Sequence, residues 1–448
     1  MTDPEIELGE LARRALPYAE GFQSEIIAMS GEGAVTRFAE NAVSQNVSRR
    51  ELTMMIRVLD GKRSARVTTN RTDADSLAQA FATARNWAKL QGESADILPL
   101  PEPQPIPPIS SYESSTAGIG ANGRAEAVTR AISASKKEGL RAAGICSTGW
   151  SAVAIANTKG LLVSQKTTMS SFSLSVQSED SSGWAEASSR AFEDIDIPAL
   201  IAVAKEKALR SRNARPIEPG AYTVVLEHAA VADILQFMSW FGFGGLGFVE
   251  GRTFMAGRLG ERVLGENITV RDDAFHPLQR GLAFDFEGLP RQSLTLVEKG
   301  IAKAVVHDRV TAARAQSRTT GHALPQPSAE GPYPLNLVLL PGESSVEEMI
   351  ASTQRGILVT RFHYTNLVEP MDLVLTGMTR DGTFLIEKGK VTTPLKNLRF
   401  TQSVVEALRE VELISHDQKT THSDWGPGSY TAPALKIRRF NFSSGTEF

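Results

Sequence analysis

ARPIEPGAYTVVLEH, residues 214–228, is the stretch that divides the chain. Pro216, Pro219 and Gly220 break any preceding helix, and Tyr222–Glu227 then reads as a buried strand. Upstream, helix and strand signals alternate. Downstream, strand signals dominate. The expected fold class is therefore α+β, with an N-terminal α/β domain over 1–215 and a β-rich, barrel-like C-terminal domain over 216–448.

Working back from the boundary, AFEDIDIPALIAVAKEKALRSR (191–212) predicts a helix, preceded by strand-like runs and by a helix over 122–137. The segment ILPLPEPQPIPP (97–108) holds six prolines. It should be extended, as a linker or as an ordered strap on the surface. A helix is expected from Asp73 to Leu90, with Leu77, Phe81, Ala84 and Ala88 at helical spacing and Thr72 as cap. Before it, 51–69 reads as a hairpin around Asp60-Gly61, and 24–30 as a strand. Forward of the boundary, hairpin turns are expected at Glu298-Lys299-Gly300 and at Arg380-Asp381-Gly382.

Composition narrows the function. In 448 residues, 48 basic side chains face 51 acidic ones, so no basic excess exists to neutralise phosphates, and no nucleic-acid partner is expected. A single cysteine, Cys146, excludes an internal disulfide and a thiolate-cluster metal site. The start, MTDPEIELGE, is acidic without an apolar run, so no signal peptide is expected. The longest uncharged stretch, between Asp233 and Glu250, has 16 residues and four glycines, too short and broken to span a membrane. A cytoplasmic location is the expectation.

GxGxxG occurs at Gly118–Gly123 and Gly242–Gly247, but neither follows a strand and opens a helix, as a dinucleotide site requires. No HExxH is present. His416, His422 and Asp424 crowd one polar C-terminal stretch, which reads first as a solvated loop and second as a weak metal site. Asp285 and Glu287 alternate with Phe284 and Phe286; in a strand they would share one face, most simply an exposed one, with an acid/base pair as the second reading. In 231–248, Val231, Ile234, Leu235, Met238 and Phe241 make an apolar helical stripe, with Phe237 and Trp240 largely outside it, followed by a glycine-rich segment. It reads as a buried helix, a lid or a partner surface.

Several ordered motifs resemble the TldD/PmbA (TldE) family, also known as modulators of DNA gyrase. They are TRFAENAVSQNV (36–47), IRVLDGKRSARVTTNR (56–71), GRTFMAGRLGERVL (251–264) and FDFEGLPRQSLTLVEKGIAKAVVHD (284–308). TGMTRDGTFLIEKGKVTTPLKNLRFTQSVVEA (376–407) resembles the PmbA/TldE branch in particular. The resemblance implies a metallopeptidase system, in which the TldD branch carries HExxxH on the helix after the VVL strand and a further cysteine ligand near the C-terminus. Counted from Val224-Val225-Leu226, those positions are Gln236, Phe237 and Phe241 here, and the lone cysteine lies in the other half of the chain.

The resemblance thus implies a subunit without catalytic residues or zinc of its own. It would pair with a TldD-like, zinc-bearing chain, or with itself as a homodimer, and bind unfolded or small modified peptides. Arg252, Arg258, Arg361 and Arg380 lie in the family-like motifs and are candidates for peptide or partner contacts. The alternatives are a free-standing hydrolase with an atypical metal site at His416 and His422, and a homodimeric peptide-binding protein.

Overall fold

The computed structural model describes residues 3–423 and 428–446. Its first half is built on one antiparallel sheet. The elements in chain order are α1 (Pro4–Ala15), β1 (Gln23–Ala39), β2 (Ala42–Asp60), β3 (Arg63–Thr69), α2 (Ala74–Leu90), α3 (Ser114–Ala117), α4 (Ala121–Lys136), β4 (Arg141–Asn157), β5 (Leu162–Gln177), β6 (Ser182–Ser189) and α5 (Ile197–Arg210). The strands lie in the order β3-β2-β1-β4-β5-β6. Strands of up to 19 residues are long enough to carry two separate cores on one sheet. Ile26, Ala28 and Ile56 pack under α1 and α2, while Phe172, Leu174 and Val176 pack under α4 and α5.

Local chemistry sets the ends of these helices. Asp3 caps α1 at the backbone N–H of Glu5, with Pro4 in the first turn. Asp73 caps α2 at Ser76 N–H, one residue beyond the expected Thr72; a carboxylate there also favours the positive end of the helix dipole. Asp196 caps α5, so that helix begins later than 191, after a short 3-10 turn. The proline-rich segment is an ordered strap without helix or strand. Pro101 O accepts from Asn157 Nδ2, and Leu100 is buried.

The second half carries β7 (Gly220–Leu226), α6 (His228–Phe241), α7 (Gly245–Val249), β8 (Val270–Asp272), β9 (Leu294–Glu298), β10 (Ile301–Ala302), α8 (Arg309–Arg314), β11 (Asn336–Leu339), α9 (Val346–Ala351), β12 (Arg355–Glu369), β13 (Val374–Glu387), β14 (Lys390–Pro394), β15 (Leu398–Ser403), α10 (Val404–Arg409), β16 (Val411–Ile414), β17 (Lys419–His422), β18 (Ser429–Ala432) and β19 (Leu435–Gly445). Strands β12-β7-β19-β15-β13 close into a five-stranded barrel through the β12–β13 pairing. The chain is thus α+β, with an N-terminal α/β part and a C-terminal barrel. A second sheet, β10-β9-β8-β11-β18-β17, sandwiches α6 against the barrel. Val224, Val225 and Leu226 of β7 are all fully buried, because the strand has core on both faces.

Two further sequence expectations fail here. Arg380-Asp381-Gly382 is no hairpin turn: β13 runs through it, and the hairpin closes at Lys388-Gly389. Asp381 and Gly382 have φ of 56° and 130°, where the register with β12 shifts; a local bulge, not a reversal, uses the Asp-Gly pair. Asp285 and Glu287 do not lie on an exposed strand face. They sit in a buried turn that presses against the outer face of the N-terminal sheet, where Phe284 meets Ile27 and Ile155.

Candidate functional site

Gln236, Phe237 and Phe241, which the resemblance aligns with a metal site, lie on α6, which follows β7 directly and is buried on most of its surface. Gln236 and Phe237 are buried. Phe237 stacks on Phe241 with ring centroids 6.3 Å apart and tilts against Trp240 at 5.6 Å. Trp240 and Phe241 floor a groove of about 420 Å³, walled by Arg252 and Thr253 on one side and Glu330, Pro332 and Tyr333 on another.

Glycine makes this arrangement possible by its lack of a side chain. A Cβ on Gly242 would meet Met238 O and Phe254 Cε1, each at 2.7 Å, and one on Gly244 would meet Pro332 O at 2.7 Å. The glycines after α6 therefore serve close packing; Phe243 between them is fully buried. The helix belongs to the core, and only its C-terminal aromatic end reaches the groove. The first GxGxxG instead opens α4 after the short α3, with no strand before it.

The four candidate arginines do not share one surface. Arg252 lines the groove and pairs with Glu250 at 2.8 Å. Arg258 is held by Glu261 at 3.3 Å. Arg361 donates to Asp381 at 2.8 Å and stacks over Trp184 of the N-terminal sheet at 4.6 Å. Arg380 faces Arg361 across β12–β13 and lines a different, open cleft. Arg361 and Asp381, which also accepts from Ser182 Oγ, tie the barrel to the first half.

His416 is exposed, and its Nδ1 lies 2.9 Å from Ser344 O. His422 ends β17; burial, and secondarily Arg190, push its imidazole down to about 3. Asp424 lies outside the described residues. Among the described residues no three His, Cys, Asp or Glu side chains gather as a metal-holding group. Zinc needs three or four N, S or carboxylate donors. An amide at Gln236 and phenyl rings at Phe237 and Phe241 do not fit it, and Cys146 is sealed in β4.

Sequence reasoning missed the buried charges. Asp272 accepts from Arg291 Nη2 and His322 Nε2, each at 2.9 Å, and from Asn336 N–H at 2.8 Å. Despite burial, these partners hold its carboxyl down at about 2. Asp285 accepts three backbone N–H groups, from Glu287, Leu289 and Ala323, yet burial pushes it up to about 6. Burial and the neighbouring Asp285 push Glu287 up to about 8. On α6, burial raises Asp233 to about 6 although it accepts the Thr365 hydroxyl.

Family models match almost the whole chain. PmbA/TldA metallopeptidase domain 1 matches 24–88, the central domain 112–212, and the C-terminal domain 219–444. The chain belongs to the PmbA/TldD metallopeptidase family. Relatives within that family include a metalloprotease TldD homolog of Buchnera aphidicola, 26% identical over 215 residues, which are 47% of this chain and 44% of the relative. A metalloprotease of Methanocaldococcus jannaschii is 26% identical over 249 residues, 51% of each chain. The chain thus spans about half the length of the curated relatives it matches. Among solved structures, TldE from Thermococcus kodakarensis superposes with a TM-score of 0.87 at 21% identity, covering 96% of this chain and 99% of that one. At that identity the likeness establishes the PmbA/TldD fold.

Proposed function

We propose that this chain is a non-catalytic, cytoplasmic subunit of a TldD/TldE-type metallopeptidase complex. It would take part in proteolysis of unfolded or small modified peptides, while a TldD-like partner supplies the zinc. One observation carries the reading: at the positions where the resemblance places metal donors, α6 has Gln236, Phe237 and Phe241, and its aromatic end lines a groove. The curated TldD relatives and the likeness to TldE fit a complex of the TldD/TldE type. Apolar peptide side chains would pack on Trp240 and Phe241, with Arg252 at the rim. Of the remaining candidates, Arg258 and Arg380 would act in assembly, away from the groove, while Arg361 holds the barrel to the first half of the chain. Among the described residues no helix is long and apolar enough to cross a membrane.

The test combines elemental analysis of the purified chain with a peptide-cleavage assay. Zinc below about a tenth of an equivalent, with cleavage only after a TldD-type chain is added, is the expected result. Near-stoichiometric zinc with chelator-sensitive cleavage by the chain alone would overturn the proposal.

A further inference from the structure

The groove at the end of α6 has a corner built from two rings. Trp240 and Phe241 both line it, with centroids 6.4 Å apart and planes at 80°. Rings at that angle do not stack face to face, so π surface is left for an occupant, and both side chains are half-buried. Phe237, buried in the core, stacks within 20° of Phe241 and fixes its plane. Tyr333, also half-buried, adds a third aromatic side chain to the lining. The volume of about 420 Å³ suits one large side chain and the backbone beside it.

Two charged side chains line this groove among the described residues, Arg252 and Glu330. They are not equivalent. Arg252 donates both Nε and Nη2 to Glu250 Oε2, with Nε at 2.8 Å, so its charge already has a counter-charge. Glu330 is exposed and has no ion pair or side-chain hydrogen bond among the described residues. Its charge reaches Tyr333, where it adds to burial in raising the phenol. Glu250, Arg252 and Glu330 together leave one negative charge in surplus, and it sits beside an aromatic ring.

We propose that the groove selects a basic side chain, lysine or arginine, of the bound peptide, with its apolar stem on Trp240 and Phe241 and its cationic head between Tyr333 and Glu330. The inference rests on the peptide-binding role proposed above and names the residue that role prefers. Ring faces carry negative potential and attract a cation, and Glu330 supplies the counter-charge. The methylene stem of lysine or arginine covers aromatic surface while its head stays at the wet rim. An acidic side chain would meet repulsion from both the rings and Glu330, and would have to displace Glu250 to reach Arg252. A purely apolar side chain would use the rings and leave Glu330 unused.

Isothermal titration of the full chain tests it, with alanine pentapeptides blocked at both ends. Their central residue is lysine, arginine, norleucine or glutamate; norleucine keeps the stem without the charge. The lysine and arginine peptides should bind about tenfold more tightly than the norleucine peptide, and the glutamate peptide should bind weakest. Glu330→Gln should cut that preference to about threefold and leave norleucine affinity unchanged, since this exposed carboxylate holds nothing in the fold. Tyr333→Leu should remove most of the remainder, and Tyr333→Phe should keep it. Equal affinity for the lysine and norleucine peptides, tighter binding of glutamate, or a full lysine preference in Glu330→Gln would overturn cation selection while the groove stood as a peptide site. No binding of any peptide at millimolar concentration would overturn it together with the groove's peptide role. The subunit assignment is judged separately, by zinc content and partner-dependent cleavage.

Discussion

Glu287→Gln should change stability in a way whose size depends on pH. The folded chain moves this carboxyl from its ordinary value of 4.5 up to about 8. A raised carboxyl binds its proton more tightly folded than unfolded, so its contribution is intact below pH 4.5 and is lost progressively as pH climbs through 8. At about 1.4 kcal/mol per pH unit, the gap corresponds to roughly 4–5 kcal/mol at pH 9. The amide is isosteric and never ionises, so it escapes that cost. It gives up the long Arg309 contact at 3.5 Å, and it spares Asp285 a charged neighbour. The variant should therefore match the parent within about 1 kcal/mol at pH 5 and exceed it by about 3–5 kcal/mol at pH 9. Urea unfolding followed by tryptophan fluorescence at pH 5, 7 and 9 measures the difference. A variant less stable than the parent at pH 9, or a difference that does not grow with pH, would refute the reasoning.

Asp272→Asn should cost about 3–5 kcal/mol at neutral pH, because it leaves Arg291 buried without its counter-charge; adding Arg291→Met should recover part of the loss in the same urea assay. In the parent, the lowered Asp272 carboxyl contributes fully above its ordinary 3.8, and that stability is lost as pH falls through about 2. Gly242→Ala should destabilise by about 1–3 kcal/mol, since its Cβ must displace backbone at Met238 and the Phe254 ring; a thermal midpoint equal to the parent's would contradict the packing described. Cys146, buried in β4 with its thiol pushed up to about 12, should react with a thiol reagent only after denaturant is added, and labelling of the native chain would show that β4 opens.

Much of this molecule is determined locally. The turn residues at 216–220, the apolar run of β7 and the stripe on α6 follow from composition and period alone, whereas the reading of Gln236, Phe237 and Phe241 as replaced metal positions came from the family resemblance. The strap followed from proline content, although only Leu100 burying itself decides between strap and linker. Asp285 and Glu287 show where local reading stops. Their alternation with phenylalanines is that of a strand, and nothing near them in sequence announces that sheet residues more than a hundred positions upstream will cover them. The Asp381-Gly382 pair likewise has positive φ at both residues, but β12 pairs with β13 before and after it, so the strand continues through a bulge. The aromatic groove joins Phe241 to Tyr333, and a second cleft has Ser64 and Glu287 in its lining, segments some ninety or more residues apart in each case. Periodicity and turn propensity act over a few residues, so the sequence alone determined the elements. Desolvation acts on whatever the tertiary structure brings together, so only the fold decided which charges are buried and which cavities they line.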